Sequence, residues 1–212
     1  VSRRDGAGRG LDIRARMHGQ RRIDRGWILG RLPLFNMDSK MHGEHASSDV
    51  SGMISQYAHG NEPGHLTIYM YDYLGQPWKT QKLVRQVMDT LYDNTPDGIC
   101  GNEDTGQMSA WYLWSAMGFY PVQHSTVKYM VGRPMFERLE LKHDHGKLVV
   151  LALAISSLNC YIKSIKLNGR NLNRFHLFYD ELFGKNALLE SEMIKTPQSS
   201  PAANEAKAKI TD

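Results

Sequence analysis

The spacing of apolar residues changes near Pro121, and this change limits the chain to a fold with two different parts. Before Pro121, apolar residues recur at the three- and four-residue intervals of amphipathic helices. After it, short runs rich in Val, Ile and Leu are separated by turn residues, as in strands. The sequence therefore predicts an α+β fold in which helices joined by polar loops precede a β-rich lobe at 128–195.

Four segments before Pro121 have helical patterns, and each carries a signal for one of its ends. Ser and Asp are N-cap candidates in the first, Gly75 ends the second, Pro77 suits the first turn of the third, and Gly118 ends the fourth. The segments are SSDVSGMISQYA (47–58), HLTIYMYDYLG (65–75), PWKTQKLVRQVMDTLY (77–92) and GQMSAWYLWSAMG (106–118). Such helical hairpins suit an all-helical bundle or a toroid whose loops carry a site.

The two ends of the chain differ from the middle. Residues 1–35 hold nine Arg and three Asp, so the net charge of +4 comes from this segment alone. A basic arm that binds nucleic acid or a membrane, a solvated linker and a segment foreign to the fold are the competing interpretations. Nothing in the remaining chain suggests a nucleic-acid-binding face, and no apolar run reaches the roughly 18 residues of a membrane span. Residues 196–212 are polar and predicted to be disordered.

The stretch HGNEPGH, residues 59–65, resembles a zinc site but has the wrong spacing. Zinc proteases place two histidines four residues apart on a helix, whereas these are six apart on a segment that Pro63 keeps from being a continuous helix. Asn61 and Glu62 instead offer the hard oxygen ligands that calcium prefers.

A second oxygen-rich loop, GNEDTGQ, occupies residues 101–107. Asn102, Glu103 and Asp104 come just before a predicted helix, so Asp104 or Thr105 could serve only as an N-cap. Two loops with carboxyl groups also match a sugar-binding active site, since glycosidases use two carboxyl groups across the scissile bond. The many Tyr and Trp residues around the loops could supply the aromatic surface on which a sugar ring packs.

Three long blocks carry a resemblance to a known family. ISQYAHGNEPGH, GQPWKTQKLVRQVM and PDGICGNEDTGQMSAWYLWSAMGFYPV resemble the signature blocks of the family 92 glycoside hydrolases, over about residues 36–195. YMVGRPMF and IKSIKLNGR also resemble that family's C-terminal β portion. Its members are calcium-dependent, exo-acting α-mannosidases that invert the anomeric centre of mannose-containing glycans such as N-glycans or mannan. The resemblance implies that residues 36–127 are part of an (α/α)6 toroid, the catalytic domain.

The same resemblance implies roles for individual residues. Asp104 matches the general base that activates water, and Asn61 and Glu62 belong to the set that binds Ca²⁺. A further set contacts the substrate or supports the residues that do: Glu44, His59, Glu62 and Gln107. Family members often carry a second acid at the position of Asn102, so this chain departs from the pattern there.

A larger departure concerns the general acid, which the resemblance places in a Trp- and Glu-containing block upstream of HGNEP. Residues 1–35 do not match such a block. We therefore expect that residues 1–35 are not native to the family, and that the isolated chain is inactive and needs an N-terminal half. The alternative is a non-catalytic remnant that binds carbohydrate or calcium. Family members usually act outside the cytoplasm, although no signal peptide is recognisable in this chain.

Overall fold

The computed structural model describes residues 51–54, 57–123 and 127–198. Helices dominate up to Gly118 and strands dominate after it, as the change of apolar spacing predicts. Three α-helices lie among the described residues before Gly118, so the (α/α)6 toroid itself stays a prediction. No described helix is long and apolar enough to cross a membrane.

The predicted helices from residue 65 to residue 118 are confirmed, with local adjustments. A 3-10 turn at Thr67–Tyr69 leads into α1 (Met70–Tyr73), and α2 covers Pro77–Leu91 with its proline in the first turn. Helix α3 covers Gln107–Met117 and ends at Gly118, whose φ of 93° is the left-handed conformation that favours glycine at a helix C-terminus.

The helix predicted for residues 47–58 is wrong over its described part. Residues Met53–Ile54 (β1) and Tyr57–Ala58 (β2) form a short antiparallel ladder. Backbone N–H groups beyond β2 continue this pairing, since His59 donates to the carbonyl of Gly52 at 2.9 Å. The pairing buries Tyr57, and this tertiary contact outweighs a weak local helical preference.

The β-rich part contains two sheets. One has the order β3-β4-β9, built from Phe119–Gln123, Lys128–Val131 and His176–Phe178. The other has the order β5-β6-β10-β7-β8. Its strands are Arg138–His143 (β5), Gly146–Leu153 (β6), Tyr161–Leu167 (β7), Arg170–Leu172 (β8) and Ala187–Ile194 (β10). A short helix, α4 (Tyr179–Phe183), lies between β9 and β10.

The strand pattern confirms the predicted hairpin and shifts where strands begin. Asn168 and Gly169 have φ values of 51° and 78°, as a tight turn between β7 and β8 requires. Strand β3 lies before residue 128 and pairs with β4, so one sheet spans the predicted domain boundary at 127/128.

Two hydrophobic cores lie on either side of Trp114, which packs against both. The first joins β2, the helices and the inner face of β3; its largest buried residues are Tyr57, Ile68, Tyr69 and Trp111. The second fills the space between the two sheets and α4. A buried hydrogen bond also links the parts: the side-chain carbonyl of Gln81 in α2 accepts from the backbone N–H of Ile162 in β7 at 3.0 Å.

Candidate active site

His59 is fully buried between two tyrosines. Its Nδ1 lies 2.8 Å from the hydroxyl of Tyr57 and its Nε2 lies 2.6 Å from the hydroxyl of Tyr92. The Tyr92 hydroxyl donates to the carbonyl of Met108 at 3.2 Å, so its oxygen accepts the proton from Nε2 of His59. This hydrogen-bond pattern assigns His59 as the neutral Nε2–H tautomer. Burial, helped by the nearby His65, lowers the pKa of His59 to about 3.

His65, the other histidine of the loop, closes it from the far end. Its Nε2 lies 2.9 Å from the carbonyl of His59, and its Nδ1 lies 3.3 Å from the side-chain amide nitrogen of Gln107. The indole N–H of Trp111 donates to the backbone carbonyl of His65 at 3.2 Å. Both imidazoles therefore fix the loop from its buried side, and their ring centroids are 4.5 Å apart.

While both histidines are buried, the residues between them are exposed or half-buried. Glu62–Gly64 form a single 3-10 turn with Pro63 as its second residue, closed by hydrogen bonds to the carbonyls of Asn61 and Glu62. Asn61 is exposed, and its side chain makes no hydrogen bond to the described residues. The amide of Asn61 and the carboxyl of Glu62 thus stand on a turn that hydrogen bonds hold in place.

The second loop has an unusual backbone. Asp104, Thr105 and Gly106 all have positive φ, at 45°, 62° and 83°, although a β-branched residue such as Thr105 rarely adopts this conformation. Such strained positions cluster at functional sites. The loop reaches α3 with Gly106 as its N-cap residue, and Asp104 is exposed.

Glu103, and neither Asp104 nor Thr105, stabilises the start of α3. Its two carboxylate oxygens accept from the backbone N–H and the hydroxyl of Ser109, each at 3.0 Å. A carboxylate is favourable here because the first turn of a helix has unpaired N–H groups. Asp104 is therefore free of the capping role that the sequence left open for it.

Two glycines let the loops approach each other. A Cβ on Gly101, whose φ is 85°, would lie 3.4 Å from Cα of Gly60 and 2.4 Å from Oγ of Ser51. A Cβ on Gly60 would lie 2.3 Å from the same Oγ. Only hydrogen at both positions leaves room for this packing, which brings the loops into contact.

The result is a pair of carboxyl groups, one from each loop. The carboxyl of Glu62 is within hydrogen-bonding reach of that of Asp104, and this hydrogen bond, followed by desolvation, raises the pKa of Glu62. Oε1 of Glu62 is buried without a hydrogen-bond partner. A buried oxygen beside a second carboxyl is a site that attracts a proton or a cation.

The loops offer donors of the kind that calcium takes, but fewer than its full coordination shell. The carboxyl of Glu62 and the amide of Asn61 are hard oxygen ligands, and calcium takes six to eight of them. Among the described residues, no three His, Cys, Asp or Glu side chains converge on one point that could hold a metal ion. The remaining ligands of a calcium ion here would be carbonyl or hydroxyl oxygens, water or substrate.

The predicted site residues fall into three groups. The structure brings Asn61, Glu62 and Asp104 to the surface where the loops meet. His59 and Gln107 lie behind that surface; the amide nitrogen of Gln107 donates to His65 and, at 3.2 Å, to the hydroxyl of Tyr120. Glu44 lies outside the described residues.

Sequence reasoning missed four residues that build the site. These are Tyr57, His65, Tyr92 and Glu103. His65 stood in the quoted loop, and its six-residue distance from His59 was the available signal. Tyr92 gave none, because it reaches His59 from the end of α2, 33 residues away.

We predict that Gly101→Ala separates the two loops. Gly169→Ala is the matched control, since Gly169 also has a positive φ, 78°, but a Cβ there would contact nothing within 4 Å. The control should lose roughly 1 kcal/mol of unfolding free energy from backbone strain alone, and Gly101→Ala at least about 2 kcal/mol because crowding adds to it. Denaturant unfolding measures both, and equal losses would contradict the proposed close packing.

We also predict that acid destabilises the fold through His59. Below pH 6.5 the unfolded chain takes up a proton on this imidazole, while the folded chain does so only near its lowered pKa of about 3. Stability is therefore lost as the pH falls from 6.5 towards 3, by about 2 kcal/mol from His59 at pH 5 relative to pH 7.5.

Denaturant unfolding in the presence of a chelator measures this loss, and His59→Gln, which cannot titrate, should flatten the pH profile. The imidazole resonances of His59 should keep the neutral Nε2–H pattern at pH 5. Titration of His59 near pH 6.5 would show that the imidazole is not buried as described.

Comparison with known proteins assigns the chain to a family. The model of the glycosyl hydrolase family 92 catalytic domain matches residues 32–195, close to the range that the sequence blocks indicate. An uncharacterized secreted glycosidase of Arthroderma benhamiae is 29% identical over 144 residues, which are 66% of this chain and 18% of that protein.

Two solved structures from Bacteroides thetaiotaomicron are similar over most of the chain. The α-mannosidase BT3965, in complex with mannoimidazole, has a TM-score of 0.78 and 35% identity over 85% of this chain. The inverting mannosidase BT2199 has a TM-score of 0.64 and 44% identity over 70% of it. The chain spans only 24% and 21% of those proteins. On the family match and these similarities, the chain belongs to glycoside hydrolase family 92.

Proposed function

We propose that this chain is the part of an inverting, calcium-dependent α-mannosidase that carries the general base and a sugar-facing, calcium-binding loop. The observation that supports it is the close packing of the two loops, where a hydrogen bond with Asp104 raises the pKa of Glu62. Its proposed substrates are the α-mannosidic linkages of glycans, because the structural relatives are mannosidases. A secreted relative favours action outside the cytoplasm.

Asp104 is proposed as the general base. It is exposed, it stands on a strained loop, and Glu103 leaves it free of helix capping. A base in this position takes a proton from water as the water attacks the anomeric carbon from the face opposite the leaving group.

Glu62 is too close to Asp104 to be the general acid. An inverting glycosidase keeps its acid and base carboxyls roughly 6.5–9.5 Å apart so that the attacking water fits between them. The carboxyl of Glu62 is instead in hydrogen-bonding contact with that of Asp104. The acid therefore has to come from another residue, and we propose that the chain alone is inactive and needs the rest of a full-length enzyme.

Glu62 and Asn61 are the residues proposed to hold calcium. The unpartnered Oε1 of Glu62 and the exposed amide of Asn61 are oxygen donors on the same turn. A bound calcium ion would supply positive charge beside the sugar hydroxyls and help distort the ring. His59 and His65 fix the turn from its buried side, while Gln107 links His65 to Tyr120 by hydrogen bonds.

A chimera tests the catalytic proposal. Residues 51–195 of this chain would replace the matched segment of the mannosidase BT3965, which supplies the remaining structure. The chimera should release mannose from an aryl α-mannoside with the β-anomer as first product, and Asp104→Asn should lower kcat by about 10²–10⁴-fold. Asp97→Asn, an exposed acid in the turn before the second loop, is the control and should leave kcat unchanged.

NMR of the first-formed anomer and steady-state kinetics measure these effects. Full activity of the Asp104→Asn chimera, or release of the α-anomer, would contradict the assigned role. Chelator-sensitive mannose release by the chain alone would show that it already holds an acid. Binding of mannose and calcium with no activity in the chimera would favour a non-catalytic carbohydrate-binding remnant.

Calcium binding is predicted separately from activity. Calcium at 100 times its Kd should raise the unfolding free energy of the chain by about 2.7 kcal/mol. Glu62→Gln should remove most of this effect, whereas Glu137→Gln, an exposed glutamate outside the loops, should keep it. Calorimetry and thermal unfolding measure both, and equal stabilisation of the two variants would exclude Glu62 as a ligand.

A further inference from the structure

A groove of about 820 Å³ lies away from the two loops, between α2 and the segments that follow β4 and β6. Neither Glu62 nor Asp104 lines it. Its most unusual member is Arg133, which is only 6% exposed. Arginine is seldom this buried unless its charge is paired.

The guanidinium of Arg133 has one hydrogen bond to the described residues. Its Nη2 donates to the carbonyl of Ser156 at 2.9 Å. Its Nε is buried without a partner, and Nη1 donates to none of the described residues. None of the ion pairs among these residues includes Arg133.

The charges around Arg133 do not neutralise it. Arg85 and Asp89 also line the groove and are paired with each other, along one side of α2. Lys82 adds a positive charge, and Glu137, an exposed acid that also lines the groove, adds a negative one. Burial, followed by the charge of Arg85, lowers the pKa of Arg133, and the opposing effect of nearby Asp89 does not reverse this, so the positive charge of Arg133 lacks full compensation.

One part of the groove wall is apolar. Phe136 is 49% exposed, and Met135 and Ile155 lie beside it. An exposed aromatic ring next to a buried, under-bonded guanidinium suits a ligand with an anionic end and an apolar body. A planar guanidinium binds carboxylate and phosphate oxygens through parallel hydrogen bonds.

We propose that this groove is a binding site for a small organic oxyanion, a carboxylate or a phosphate monoester, whose charged end pairs with Arg133. The apolar body of the ligand packs on Phe136, and Lys82 adds weak attraction from the rim. This site is independent of the proposed mannosidase activity, because it shares no residue with the carboxyl pair.

Titration with four probes at constant ionic strength tests the site: inorganic phosphate, acetate, phenyl phosphate and benzoate. The two aromatic probes should bind more tightly than phosphate and acetate because of the apolar wall. The phosphate and carboxylate arms show which oxyanion the site prefers. Arg133→Gln should weaken binding of the best probe at least about tenfold.

Arg138→Gln, an exposed arginine outside the groove, is the control and should bind like the parent chain. Asp104→Asn should also bind normally, which separates this site from the proposed active site. Arg133→Lys keeps the positive charge but loses the planar guanidinium that can form two parallel hydrogen bonds, so it should bind the probe more weakly than the parent chain. This variant replaces Arg133→Gln in the test if Arg133→Gln does not fold.

The side-chain Nε–H resonance of Arg133 gives a direct readout in the unaltered chain, and it should shift on saturation with the best probe. Three results would overturn the proposal: no saturable binding of any probe, unchanged binding by the Arg133 variants, or saturation that leaves the Arg133 resonance in place.

Discussion

The buried hydrogen bonds of His59 are the interaction on which the candidate site depends. One neutral imidazole is hydrogen-bonded to Tyr57 in β2 and to Tyr92 at the end of α2. The Tyr92 hydroxyl in turn donates a hydrogen bond to the carbonyl of Met108 in α3. Three elements that are distant in sequence thus meet at one side chain. Because a buried polar group costs free energy when it loses a partner, the three must keep their relative positions. Glu62 and Asp104 stand on the loops that these elements carry.

Three neighbouring acids in this site have three different environments, which match the different roles proposed for them. Glu103 is committed to the first turn of α3. Glu62 keeps one oxygen buried without a partner, which suits a cation ligand. Asp104 is exposed on a strained backbone, as a residue that meets water should be. Sequence spacing alone makes these carboxylates look equivalent, whereas their surroundings do not.

The features that could be predicted from the sequence are those set by local chemistry. Helix α2 begins at a proline, α3 ends at a left-handed glycine, and the Asn168–Gly169 turn needs two positive φ values. The β1–β2 ladder was missed because its stability comes from burying Tyr57 and from backbone pairing. The buried position of His59 depends on Tyr92 and Trp111, which are distant in sequence. The family resemblance pointed to Asp104, Glu62, His59 and Gln107, but Tyr92, which holds His59 from 33 residues away, had no signal in the sequence.

The position of β10 has a consequence for how the β-rich part assembles. This strand, the last one in the described residues, lies between β6, which it meets in parallel, and β7, which it meets antiparallel. The hairpins β5–β6 and β7–β8 can form early, but they share no edge until β10 arrives to join them. A ribosome must therefore complete Ala187–Ile194 before the five-stranded sheet can close, and chains cut short before these residues carry two hairpins with unpaired edges. Such edges are templates for aggregation, so β10 also protects the chain from pairing with other chains.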